Sequence, residues 1–181
     1  SRRWLDANSA RDLAALDPAA IERVRDEVWP RARSVDELHD AVLLLGLVNE
    51  AELARCAEPE DAPRLRAWLD TLFEHGRVLR VNAARATWCA TERQHEVRAL
   101  LATDTLHGST AAASYRAPAT PSREAALAAL VRSRLELCGP VTLEALAEQV
   151  PASARELEHA LLGLEQAGIA EPLGRAHAGG E

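Results

Sequence analysis

Residues 76–92, GRVLRVNAARATWCATE, carry Arg77, Arg80 and Arg85 and no carboxylate before Glu92. Three guanidinium groups on a short extended segment suit one kind of chemistry. They neutralise and hydrogen-bond phosphate oxygens, which fixes a protein on a nucleic-acid backbone without reading its bases. Successive side chains of a strand alternate between faces, so Val78 and Arg80 share one face, Leu79 and Val81 the other, and Arg85 falls in or just after the turn. The three arginines then form a local positive edge. Arg64 and Arg66 stand near the start of the preceding helix, at the end a helix lying in the major groove would present to DNA. These five arginines are the candidate nucleic-acid-binding residues. The competing use of the same side chains is a solvated surface, or ion pairs with acids such as Glu60, Asp61 and Asp70. The chain carries 28 Asp+Glu against 21 Lys+Arg, a formal charge of -7, and every one of those cations is arginine. Arginine content therefore argues nothing by itself, and position has to decide.

Other chemistries lack their residues. There is no G-x-x-x-x-G-K-[ST] phosphate loop, no G-x-S-x-G nucleophile elbow, no H-E-x-x-H and no C-x-x-C, so no catalytic residue and no metal ligand is assigned. The histidines at 39, 75, 95, 107, 159 and 177 lack the i, i+4 pairing of a helical metal site and are expected to face solvent or lie beside helix caps. Cys56, Cys89 and Cys138 are odd in number and far apart, which fits small apolar core residues in a reducing cytoplasm better than a disulfide framework. Trp68 and Trp88 are expected to pack beneath the hairpin rather than stack on bases, and Trp29 stays open between the two uses. No apolar run reaches the length of a membrane span or the core of a signal peptide. A start at Ser1 without methionine, and an end in GRAHAGGE, suggest a piece of a longer polypeptide.

The elements that must position these arginines are mostly helical. DPAAIERVRDEVWPRA predicts a leading helix with Asp17 as N-cap, Pro18 in the first turn, an apolar face of Ile21, Val24 and Val28, and a stop at Pro30. SVDELHDAVLLLG predicts a second helix, with a capping box of Ser34 and Glu37 and a glycine end at Gly46. NEAELARCA repeats the capping pattern with Asn49 and Glu52. Residues 61–76 place Leu65, Trp68, Leu69 and Leu72 at i, i+3, i+4 and i+7 and close at Gly76. RVLRV and ATWCA, joined by NAAR, follow as a single β-hairpin at about residues 77–90. Helix, helix, helix, hairpin is the order of a winged helix, a helix-turn-helix with a β-wing.

The order then recurs. STAAASYRAPATPS is small, polar and proline-bearing, hence a linker. Leu127, Leu130, Val131 and Leu135 share one helical face, VTLEALAEQV follows, and SARELEHALLGLEQAG opens with Ser153 and Glu156 as a capping box. A shift of 92 residues lays Leu65 on Leu157, Leu69 on Leu161, Leu72 on Leu164 and Gly76 on Gly168, so a duplicated unit is expected. After Gly168 there is room for one strand but no wing. The expected fold is mainly α, with tandem winged helices and these boundaries: a helical segment 1–33, a first winged helix 34–105, an exposed linker 106–121, and a truncated or wingless second unit 122–181. On the second unit's third helix Arg155 stands against Glu156, Glu158 and Glu165, which repel phosphate, so that unit is expected to pack on protein.

LDPAAIERVRDEVWP, SVDELHDAVLLLG, WLDTLFEHGRVLRV with ATWCATE, and LVRSRLELCGPVTLEALAE resemble the region beyond the ATPase core of bacterial large helicase-related (Lhr) proteins, a group of superfamily 2 DNA helicases. The likeness runs from about residue 4 to 170, and its best markers are E-L-H-D at Glu37–Asp40 and C-G-P-V-T at Cys138–Thr142. The resemblance implies a cytoplasmic DNA-repair helicase with tandem winged helices in its C-terminal arm. ATP and magnesium would serve the parent protein, and no cofactor is implied for this segment. It also implies a kinship with winged-helix DNA glycosylases, whose Q-x-Q or Q-x-D motif has its nearest counterpart in Gln94–Glu96, with the wrong acid. The expected function is a non-catalytic module whose first wing contacts DNA weakly and whose second unit packs on neighbouring domains of the same polypeptide. Its rivals are a protein-interaction or oligomerisation module without DNA contact, favoured by the acidic charge, and a glycosylase fragment.

Overall fold

The computed structural model of the chain describes residues 2–5, 18–82, 86–101, 105–138, 141–168 and 170–172. After a strand β1 (Arg2–Leu5), helix α1 (Pro18–Val28) starts on a proline, whose fixed φ suits the first turn. Its expected N-cap, Asp17, lies outside the described residues. Helix α2 (Val35–Leu45) is capped by Ser34, which accepts the Glu37 amide, and it ends on Gly46 at φ +81°. The Glu37 carboxylate accepts from the Arg33 amide at 2.7 Å rather than from that of Ser34, so the expected capping box closes one residue early. Strand β2 (Val48–Asn49) leads into α3 (Glu50–Arg55), where the Asn49–Glu52 capping box is complete. Helix α4 (Ala62–Glu74) and strands β3 (Val78–Asn82) and β4 (Ala86–Ala90) finish a helix-turn-helix with its wing. A 3-10 turn and α5 (Gln94–Leu100) follow, then β5 (Leu106–His107).

The four strands form one antiparallel sheet in the order β2-β4-β3-β5. Arg80 stands opposite Trp88 on one side and His107 on the other. Both faces of this sheet are covered, which a wing exposed to solvent would not show. Val48, Val78 and Trp88 join Leu38, Val42, Leu45, Leu69 and Leu72 in one core. Leu79, Val81 and Cys89 join a second core with Val97 and Leu100 of α5 and with residues from the C-terminal third of the chain. Burial accounts for the missing carboxylate at Val78, Leu79, Val81, Trp88 and Cys89, where a charge would be stranded in apolar surroundings, whereas Arg80 and Asn82 are exposed.

The C-terminal residues run α6 (Arg123–Cys138), β6 (Val141–Thr142), α7 (Leu143–Gln149), α8 (Ala154–Gln166) and β7 (Ala170–Pro172). Leu127, Leu130, Val131 and Leu135 are all buried, as their spacing predicts. They meet Leu157, Leu161 and Leu164 of α8 in the same core that lies on the back of the antiparallel sheet. The halves before and after residues 106–121 therefore share one core. That segment differs from an exposed linker at its start, where β5 pairs with β3 and Ala112 is buried. It is exposed from Ala113 to Thr120.

Three further differences have physical causes. A second, parallel sheet of order β6-β1-β7 places Arg2–Leu5 between the two C-terminal strands, with Trp4 opposite Val141 and Arg2 opposite Ala170. Its pairing partners are more than a hundred residues apart, so no local pattern announces it. On α1, Val24 and Val28 are exposed although helical spacing marks them as core. Periodicity finds an apolar face but not whether anything covers it. His39 is buried, where a histidine facing solvent or lying beside a helix cap is expected, and its Nε2 stands 3.2 Å from the Glu92 carboxylate.

Candidate nucleic-acid interface

The wing edge gathers polar side chains from two strands. Arg80 and Asn82 alternate with the buried Leu79 and Val81, so both point away from the shared core and are exposed. Strand β5 brings His107 beside them, and the Asn82 amide lies 2.9 Å from His107 Nε2. Arg80 has no ion-pair partner among the described residues. Guanidinium, amide and imidazole on one exposed edge can all donate hydrogen bonds to phosphate oxygens. Arg85 lies outside the described residues.

The other candidate arginines are paired. Arg77 Nη1 stands 2.5 Å from the Asp36 carboxylate at the start of α2. On α4, Arg64 pairs with Asp61 at 3.2 Å and Arg66 with Asp70 at 3.1 Å, in the i, i+3 and i, i+4 positions that helix geometry favours. Both α4 arginine side chains are 70% exposed. Such surface pairs hold on the order of 0–1 kcal/mol, so an incoming phosphate can replace the carboxylate at small cost. The four described candidates are thus not one cluster: Arg80 is on the wing edge, Arg64 and Arg66 on α4, and Arg77 on the loop that joins them. Asn82 and His107 escape sequence reasoning because the sequence points to arginines and His107 lies in a segment that reads as a linker.

A buried ion pair holds this surface from behind. Arg134 on α6 is wholly buried, with Nη1 at 2.5 Å and Nη2 at 3.3 Å from the two carboxylate oxygens of Glu52, and it also donates to the Leu47 carbonyl. Glu52 is at the same time the capping-box acid of α3, accepting from the Asn49 amide at 3.0 Å. One carboxylate therefore fixes the start of the helix-turn-helix and its attachment to α6. Trp29 resolves to the core, 4% exposed, with the Arg55 guanidinium 4.2 Å above its ring. Trp88 packs edge-on to Phe73 with ring centres 6.0 Å apart.

Burial also sets the thiols. Cys89 is pushed up to about 12 and Cys56 to about 11, because each would have to ionise inside apolar packing. In the C-terminal half, Glu156 is held down at about 2 by the Arg123 guanidinium and then by the Ser153 amide and hydroxyl. Among the described residues no group of three His, Cys, Asp or Glu is placed to hold a metal ion, and no helix is long and apolar enough to cross a membrane.

Three helices, a helix-turn-helix and a small antiparallel sheet with its hairpin define a winged-helix domain. Residues 14–114 match the winged-helix domain of the large helicase-related protein, more than half of the chain, and the chain belongs to that family. No curated protein matches it.

Proposed function

We propose that this chain is a non-catalytic, tandem winged-helix module of an Lhr-type DNA-repair helicase, which touches DNA through the first wing and α4. The observation that carries the reading is Arg80: an exposed guanidinium without a carboxylate partner among the described residues, set beside Asn82 and His107 on the wing edge. The C-terminal half supports the tandem part. Gly168 closes α8 at φ +69° as Gly76 closes α4 at φ +72°, and Leu157, Leu161 and Leu164 are buried at the positions of Leu65, Leu69 and Leu72. In this reading ATP and magnesium act elsewhere in the parent protein, and the second unit serves to brace the first.

The test is fluorescence anisotropy with single-stranded and duplex DNA at several salt concentrations. Replacing Arg80 and Arg85 together with alanine is expected to weaken binding from a few-fold to some tens-fold and to lower the log–log salt slope by about one to two. Arg155→Ala on α8 is expected to leave binding unchanged. Unaltered binding in the wing variant, at an unaltered melting temperature, would reject the wing contact. It would favour the second reading, a protein-interaction module, which the net charge of -7 and the paired Arg64, Arg66 and Arg77 support.

A further inference from the structure

The other side of the β3–β5 edge holds a separate cation. Helix α5 starts at Gln94, and one turn later Arg98 Nη2 donates to the Gln94 side-chain oxygen at 3.2 Å. That partner is neutral. The nearest carboxylate in the sequence, Glu96, is already taken by Arg93, whose Nε and Nη2 lie 2.8 and 2.5 Å from it. Arg98 is half-buried, and among the described residues it has no carboxylate partner. A partly desolvated guanidinium without a counter-charge is unfavourable by itself and gains from a bound anion.

A cavity of about 310 Å³ opens at this arginine, lined by Gln94, Arg98, Ser109 and Tyr115, with Leu79 and Leu106 as apolar wall. The Ser109 hydroxyl oxygen is buried and has no hydrogen-bond partner among the described residues. Gly108 beside it packs so closely that a Cβ would collide with the Leu79 side chain and come within 2.9 Å of the Ala112 methyl. The loop carrying Ser109 is therefore held against the sheet by packing. Tyr115 is 38% exposed.

We propose that this cavity is an anion site that takes a phosphate group, held by the Arg98 guanidinium and the Ser109 hydroxyl. Phosphate satisfies both observations at once: its charge answers Arg98, and its several oxygens accept from guanidinium N–H and from hydroxyl O–H. A neutral ligand would leave the cation unanswered. The phosphate can be free or carried by a nucleotide, whose base the partly exposed Tyr115 ring could stack. The site is independent of the wing contact, because Leu79 lines it and Arg80 projects from the opposite face of the same strand.

The experiment is a titration of the whole chain, followed by amide and arginine Nε NMR signals, with inorganic phosphate, thymidine 5′-monophosphate and thymidine in parallel. Phosphate and the monophosphate are expected to move the Arg98, Gly108 and Ser109 signals saturably, and thymidine is not. Equal affinity for the two anions would identify a free phosphate as the occupant, and several-fold tighter binding of the monophosphate a nucleotide. Arg98→Gln is expected to weaken binding at least ten-fold. Because that change also touches the Gln94 contact, Ala113→Glu serves as a second variant, placing a competing carboxylate at the exposed cavity rim with Arg98 intact. Arg80→Ala should bind as the unaltered chain does. Shifts that stay linear, that persist in both cavity variants, or that thymidine reproduces would overturn the assignment.

Discussion

At the scale of single residues, Arg134 carries the largest expected consequence. Its removal leaves the Glu52 carboxylate and the Leu47 carbonyl buried without their donor. Breaking one side of a buried pair typically costs about 3–5 kcal/mol, so Arg134→Met is expected to lower the urea midpoint strongly in equilibrium unfolding. An unchanged midpoint would mean that the pair contributes nothing. The thiols give a pH prediction. An ordinary cysteine ionises near 9.0, whereas folded Cys89 resists up to about 12 and Cys56 up to about 11. Between those values the unfolded chain loses protons that the folded one keeps, so this contribution is full below about pH 9 and is lost as pH rises toward 11–12. Melting temperature is expected to fall over that window, and alanine at both cysteines to flatten the fall. Glu156 acts in the opposite direction: its contribution is present above 4.5 and is lost as pH drops toward 2.

At the scale of elements, two glycines in equivalent roles predict unequal costs. Gly76 and Gly168 both end a helix in the left-handed region, at φ +72° and +69°. Alanine pays the backbone strain at either site, on the order of 1–2 kcal/mol. At Gly76 the added methyl would also overlap the Ala112 backbone, while at Gly168 it meets open space. Gly76→Ala is therefore expected to destabilise well beyond Gly168→Ala in thermal melts, and equal effects would show that the packing of β5 and the following turn against α4 is weak. Removing an N-cap side chain is milder. Ser153→Ala takes away the acceptor for the Glu156 amide and is expected to cost about 1 kcal/mol.

At the scale of the molecule, the continuous core across the antiparallel sheet predicts one cooperative transition rather than two. Residues 14–114 alone would leave Leu79, Val81, Cys89, Val97 and Leu100 without the α6 and α8 side chains that cover them. That fragment is expected to self-associate or melt well below the full chain, by differential scanning calorimetry and light scattering. A chain nicked by limited proteolysis in the exposed residues 113–120 should still migrate as one species on native gel filtration. Separation of the two pieces would show that each half closes its own core.

By themselves, the residues determined what is local. Proline and capping residues set the helix starts, glycines their ends, and the leucine register on α4 and α8 the buried stripes, because backbone sterics and 3.6-residue periodicity act within a few positions. The hairpin and the alternation of Arg80 with Leu79 and Val81 were legible for the same reason. Tertiary structure alone decided the long-range questions. It covered the second face of the wing sheet, placed β1 between β6 and β7, buried Arg134 against Glu52, and left Val24 and Val28 bare. It also sorted the arginines into Arg77 beside Asp36, Arg80 with no carboxylate partner among the described residues, and Arg98 facing a cavity. Charge and burial depend on which distant segment arrives next to a side chain, and nothing in a short stretch of sequence encodes that arrival.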